Sequence, residues 1–175
     1  MSQMEAGSDP HRQQLLYWDQ MYELKTAAVY IRLYRDSLGY WVTALGALKA
    51  IASCGSIAAW AIWQRLAFLW GSVIAVAQLA DALKDVFPFA RRHKAAASLA
   101  LTLNLLFIDV QMEWENIFSG RYTDEEIRLH LHRLRKLQIE AENHHFPEGL
   151  ALRSQLLEQA KKEAEQTLAV TYGLK

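Results

Sequence analysis

Apolar residues recur at three- and four-residue steps through Leu15, Trp18, Tyr22, Thr26, Val29 and Leu33. That spacing places them on one face of a helix. Gln13, Gln20, Glu23, Arg32 and Asp36 fall on the other side. Ser8 or Asp9 supplies an N-cap and Pro10 suits the first turn, so a first amphipathic helix is predicted to end near Asp36. The pattern then changes. "LGYWVTALGALKAIASCGSIAAWAIW" covers 38 to 63 and "LAFLWGSVIAVAQLADALKDVFPF" covers 66 to 89. A bilayer span needs about 20 predominantly apolar residues. The first run has that length with one lysine, and the second is free of charge from Leu66 to Ala80.

Periodicity of the helical kind returns after Pro88. Leu99, Leu103, Leu106, Val110, Trp114 and Ile117 form a near-heptad stripe ending at "SGRY". Thr123 and Glu126 have the spacing of a capping box, opening a helix whose stripe is Ile127, Leu131, Leu134 and Ala141, with Leu137 at its edge. "HHFPEG" breaks the chain, and a last helix is predicted from about Glu148, with Leu150, Leu157, Ala160, Ala164 and Leu168 inside. Proline is rare and β-branched runs are missing. The expected fold is therefore all-α, in three parts: an N-terminal amphipathic helix (1–37), a two-helix transmembrane hairpin (38–89), and a long-helix cytoplasmic bundle (90–175).

Composition sharpens this picture only in places. Apolar residues make up 52% of the chain, less than a many-span transporter needs, but enough for two spans averaged with polar helices. The net charge is zero, so any nucleic-acid or phosphate contact must be a local patch. One cysteine, Cys54, excludes an internal disulfide. The polar opening "MSQMEAGSDPHRQQ" has no signal-peptide pattern, which leaves an internal segment as the expected route into a membrane. Aromatic residues mark both edges of the apolar stretch, with Tyr40 and Trp41 at one and Trp60, Trp63 and Trp70 at the other. Arg32 and Arg35 precede it and Arg91, Arg92 and Lys94 follow, which predicts both termini in the cytoplasm. A soluble bundle that buries the apolar stretch as its core is the competing expectation.

Three charges interrupt that stretch: Lys49, Arg65 and Asp81. If the hairpin turns at Gln64 and Arg65, Lys49 and Asp81 lie at one height, with Gln78 one turn nearer the tip. A lone lysine in hydrocarbon costs roughly 2.5–3.5 kcal/mol, and a partner at equal depth offsets part of that. Lys49 also lies about 23 Å from the tip at 1.5 Å per residue, close enough to the near surface to snorkel. Lys49, Ser53 and Ser56 share one helical face and could line a polar pore; equally, the serines could bond their own helix and Lys49 only Asp81. Two spans cannot enclose a channel, so a pore requires self-association. Gly46, Ala50, Cys54 and Ala58 recur every four residues, a spacing that lets helices approach closely in lipid.

"RLHLHRLRK" is the most basic run. Arg128, His132, Arg135 and Lys136 share a helical face that could take an anionic ligand, or could be a solvated face balancing the nearby glutamates. Zinc is the tempting reading of the histidines, yet His130 and His132 point about 200° apart on a helix, and no HExxH or cysteine partner exists. No nucleophile with a base beside it and no glycine-rich phosphate loop is present. No catalytic residues, metal or cofactor are expected, and the chain is not expected to be an enzyme.

The blocks "IASCGSIAAWAIW" and "QLADALKDVFPF", together with the helix containing "MEWENIFSGRYTDEE", resemble the SLATT group of bacterial two-span effector domains of antiviral conflict systems. The likeness covers roughly residues 15 to 170 and rests on pattern, with no catalytic motif. It implies a membrane-perturbing effector of the bacterial inner membrane, gated by a nucleotide or oligonucleotide and paired with a nucleotidyltransferase. The expectation is a homo-oligomer in lipid, guessed to be a tetramer, that depolarises the host membrane in anti-phage defence. The alternative is a soluble or peripheral all-helical scaffold that binds a partner protein.

Overall fold

The structure is a computed structural model that describes residues 11–62, 67–82 and 88–173; the side chains described are those of 11–50, 68, 71, 72, 74–79 and 88–173. The described residues are all-helical, in five helices: α1 (Arg12–Ile62), α2 (Ala67–Ala82), α3 (Phe89–Phe118), α4 (Asp124–His145) and α5 (Ser154–Tyr172). They divide into two compact units. Unit 1 joins residues 1–33 with 96–175, and unit 2 comprises 34–95. Both α1 and α3 contribute to each unit.

The sequence predicted that the first helix ends near Asp36 and a second begins at 38. Instead α1 runs unbroken for 51 residues. Nothing there stops a helix: no proline occurs between Pro10 and Pro88, and Gly39 keeps a negative φ. A glycine inside a helix costs only about 0.5–1 kcal/mol, too little to end one supported by packing. At Gly39 a Cβ would sit 3.3 Å from Nε2 of His93, so the missing side chain permits a close approach within unit 2. The breaks fall where glycine does take a positive φ: Gly120 after α3, Gly149 after α4 and Gly173 after α5.

Unit 1 packs the first part of α1 against α3, α4 and α5. From α1 come Tyr17, Met21 and Leu24; from α3, Leu99, Leu103 and Ile117; from α4, Ile127; from α5, Leu168, each with under 2% or about 2% of its surface exposed. Burying a side chain of this size contributes about 1.5–3 kcal/mol. Trp18 and Trp114 meet at 5.1 Å between ring centroids, and Tyr172 of α5 meets Trp18 edge-on at 5.2 Å. Lys25 lies 4.6 Å over the Phe107 ring, and burial lowers its pKa, with Arg32 adding to and Glu163 opposing that shift. Arg32 donates to both carboxylate oxygens of Glu163 at 2.5 and 2.6 Å, tying α1 to α5.

The stripes read from the sequence hold for α3, α4 and α5, whose buried sets include Leu99, Leu103, Val110 and Ile117, then Ile127, Leu131 and Leu134, then Ala160, Ala164 and Leu168. In α1 the buried face is broader than the predicted stripe: Thr26 and Val29 are buried as expected, Leu15 is exposed, and Tyr17, Met21, Leu24, Ala28 and Ile31 also point inward. Three helices surround this part of α1, so a single stripe does not describe it. Gln20, placed on the polar side from the sequence, is only 6% exposed. The last helix begins at Ser154, not Glu148, because Gly149 turns the chain and residues 150–153 continue without helix.

α3 is the one helix among the described residues long and apolar enough to cross a membrane. Its apolarity has a structural source. Besides the buried face, it carries a second stripe of Leu101, Leu105, Ile108 and Met112, all exposed.

Unit 2 is organised differently. Among its described residues only Tyr34, Leu38 and Ala77 are buried. Tyr40, Trp41, Val76 and Leu79 are exposed, and Phe68 is 90% exposed.

Candidate functional site

α4 presents the basic residues, and its start explains its position. Thr123 caps it: its Oγ1 accepts from the Glu126 backbone N–H at 3.4 Å, and its own N–H donates to Glu126 Oε2 at 2.8 Å. The Thr123 backbone N–H and hydroxyl both donate to Glu126 Oε2 at 2.8 Å and hold that carboxyl below its ordinary pKa, the backbone donor being the larger cause. From that start, Ile127, Leu131 and Leu134 turn inward and the basic run faces outward.

Arg128 and Arg135 of that run each have a partner. Arg128 donates to the Glu125 carboxylate. Arg135 donates from Nε to Oε1 of Gln20 at 2.7 Å. Lys136 lies 3.7 Å from Glu140, and His132 is exposed. The four residues share the outer side of α4, but Arg135 is committed to the core through Gln20. His130 departs from the other histidines: it stacks on Tyr122 at 4.9 Å and faces Glu113 at 3.6 Å. His145 donates to the Ala141 carbonyl and its other ring nitrogen meets the Ser98 hydroxyl at 2.9 Å. Among the described residues no group of three or more His, Cys, Asp or Glu could hold a metal ion.

The polar residues of the apolar stretch are only partly described. Lys49 and Gln78 are exposed. Ser53 and Ser56 lie in α1 and Asp81 in α2, but their side chains lie outside the described residues, and so does the expected Lys49–Asp81 pair. Ser72 shows what a serine does in this setting: its hydroxyl donates to the Phe68 carbonyl one turn back, at 2.9 Å. A Cβ built on Gly46 would meet nothing within 4 Å. The small-residue face at that position is therefore open among the described residues.

Sequence reasoning missed the cavity of unit 1. It has a volume of about 700 Å³ and lies among α1, the C-terminal end of α4, the 147–153 segment and the start of α5. Tyr30 builds one side by holding that segment: its hydroxyl donates to the Ala151 carbonyl at 3.3 Å and accepts from the Arg153 N–H at 3.0 Å. Asp19, Glu23 and Glu142 bring carboxylates to it, and Lys161 brings one ammonium. A polar chain leads into the wall. Arg135 donates to Gln20, Gln20 donates to Gln138 at 3.1 Å, and Gln138 donates to Glu142 Oε1 at 3.0 Å. Thr26 lines the cavity, and its buried Oγ1 has no hydrogen-bond partner. The sequence carried one usable signal: Gln20 and Thr26 both fall within the span of α1 where apolar residues occupy more than one face.

No protein-family model, no curated protein and no solved structure matches the chain.

Proposed function

We propose that this protein is an oligomeric membrane effector of a bacterial inner membrane, with unit 2 in the bilayer and unit 1 in the cytoplasm beside both termini. The observation that carries the reading is the outward turn of large apolar side chains in unit 2, Phe68, Leu79 and Trp41 among them. In water this arrangement forfeits about 25 cal/mol per Å² of apolar surface left uncovered, and in lipid that penalty disappears. The SLATT resemblance supports the same assignment. Copies assemble into a pore that dissipates ion gradients and halts the infected cell, and no catalysis by the chain itself is involved.

Self-association draws support from two places. Gly46 leaves room for a second backbone to approach α1. On α3, Leu101, Leu105, Ile108 and Met112 follow the four-three-four spacing of a coiled-coil seam. In a parallel, in-register pair the flanking positions bring Asn104 beside Asp109 and Gln111 beside Asn116, so no like charges oppose one another. The signal is a nucleotide or oligonucleotide, received at the outer side of α4 by His132, Lys136 and Arg128, the last exchanging Glu125 for a phosphate. A nucleotidyltransferase is the matching partner. The α3 stripe also favours a second reading, a peripheral scaffold that binds another protein.

The test is ion flux from liposomes reconstituted with full-length protein, beside mass photometry in detergent. Flux from a defined oligomer supports the effector. A monomer without flux, with nucleotide present or absent, returns the chain to the scaffold reading.

A further inference from the structure

We propose that unit 2 carries a headgroup site for an anionic phospholipid where α1 and α3 meet, with Arg91 and Lys94 as its cations and Tyr40 and Trp41 as its aromatic edge. The inference deepens the membrane reading and rests on it. Its geometry starts from a glycine. A Cβ on Gly39 would sit 3.3 Å from Nε2 of His93, so α1 and α3 are in close contact at that height. Tyr40 and Trp41 follow Gly39 directly, and Arg91 and Lys94 flank His93 within two residues. At 1.5 Å per residue, all four fall within about 3 Å of that contact along the helix axes. Each is exposed, Tyr40 at 70% and Trp41 at 50%.

Charge selects the sign of the ligand. Among the described side chains of unit 2, Arg35, Lys49, Arg91, Arg92 and Lys94 are basic and Asp36 alone is acidic. Asp36 is already occupied, because Arg35 donates to its carboxylate at 2.7 Å. Arg91 and Lys94 make no ion pair among the described residues. They stand three residues apart in the first turns of α3, so they share one face, and the start of a helix adds partial positive charge. A phosphodiester accepts hydrogen bonds from both. The aromatic pair points to a lipid as the source of that phosphate. Tyr40 and Trp41 meet edge-on at 5.9 Å between centroids, with both rings exposed. Dissolved inorganic phosphate gains nothing from two exposed rings. A phospholipid does, because amphipathic rings settle at headgroup level in a bilayer. Cations and rings at one height match the layered chemistry of a lipid surface: charge for the phosphate, rings for the ester region below it.

The experiment is native mass spectrometry of full-length protein in a neutral detergent, with dioleoyl phosphatidylglycerol and dioleoyl phosphatidylcholine added in equal amounts. Phosphatidylglycerol is expected to bind at least about tenfold more tightly. A cation at a lipid surface contributes about fivefold in affinity, so Arg91→Gln and Lys94→Gln should each weaken phosphatidylglycerol by about that factor, and the double variant by about 25-fold. Phosphatidylcholine binding should not change in these variants. Both positions are exposed, so neither substitution threatens the fold. Lys162→Gln removes an exposed cation from unit 1 and should leave the selection intact. Equal binding of the two lipids, displacement of phosphatidylglycerol by excess inorganic phosphate, or the same loss in Lys162→Gln as in Lys94→Gln overturns the proposal. Carbonate extraction reports the membrane reading separately. Protein that stays in the membrane yet does not select phosphatidylglycerol defeats this inference alone.

Discussion

Leu103 in unit 1 has 0% of its surface exposed, and Leu79 in unit 2 has 59%. Tyr17 and Tyr40 differ the same way, at 1% and 70%, although both lie on α1. Residue type does not explain the contrast, and neither does helix propensity. The difference is the supply of covering helices. In unit 1, α1, α3, α4 and α5 share a buried core, while α3 keeps the exposed stripe of Leu101, Leu105, Ile108 and Met112. Unit 2 has no such cover among its described residues, and its aromatic and aliphatic side chains turn outward. Unit 1 therefore has a covered apolar core, and the described side chains of unit 2 are mostly uncovered.

The contrast can be broken most forcefully with a matched pair of truncations. Leu103→Ala should destabilise unit 1 by about 2–5 kcal/mol, as cavities in packed cores do. Leu79→Ala should change the unfolding of unit 1 by less than about 0.5 kcal/mol. Chemical unfolding in detergent, followed by near-ultraviolet circular dichroism of the Trp18 and Trp114 cluster, measures both. Equal losses would erase the distinction between the units. Leu79→Lys sharpens it further: membrane insertion should weaken by roughly 2.5–3.5 kcal/mol, with the unit 1 transition unchanged.

A smaller effect is expected at Gln20. Gln20→Ala removes the buried Gln20 side chain and strips a partner from the exposed Arg135 and the half-buried Gln138, which water partly replaces, so a loss of about 0.5–1.5 kcal/mol is expected. The same unfolding assay reads it. No loss would place this network at the surface, contrary to its burial.

The smallest effect is expected at the α4 cap. Thr123→Ala should cost about 1 kcal/mol, measured by the same unfolding. Its dependence on pH has a definite sign. The folded Glu126 carboxyl has a pKa below the ordinary 4.5, so its contribution is present above 4.5 and is lost as pH falls through the lowered value. Thr123→Ala removes the hydroxyl bond to that carboxylate, so an acid titration of stability should be flatter below 4.5 in the variant than in the parent. An identical acid limb in both proteins would argue against the capping bonds.

Local signals carried most of the helical layout. The Thr123–Glu126 spacing located the start of α4, Pro88 the start of α3, and the stripes of α3, α4 and α5 identified their buried faces. The continuity of α1 was not legible, because the change from a stripe to an apolar run after Asp36 reads as a boundary and only tertiary context shows that Gly39 stays helical beside His93. The additional buried face of α1 was missed for a related reason: a helix surrounded on several sides buries residues such as Gln20 that a one-stripe reading sends to solvent. Of the candidate anion site, the shared outer side of α4 was readable, but the capture of Arg135 by Gln20 was not, since it joins residues 115 positions apart. The cavity was invisible for the same cause: its walls come from three stretches far apart in the chain, 19–31, Leu99 and 142–161.

The central claim is that unit 2 lies in a bilayer, and extraction of membranes from cells expressing the full-length protein tests it most directly. Membranes are washed with alkaline carbonate, with and without detergent, and the protein is followed by immunoblot. The account predicts that carbonate alone leaves the protein in the membrane pellet and that detergent releases it. Release by carbonate alone would contradict the claim, because a protein held by unit 2 in hydrocarbon does not leave with a change of pH.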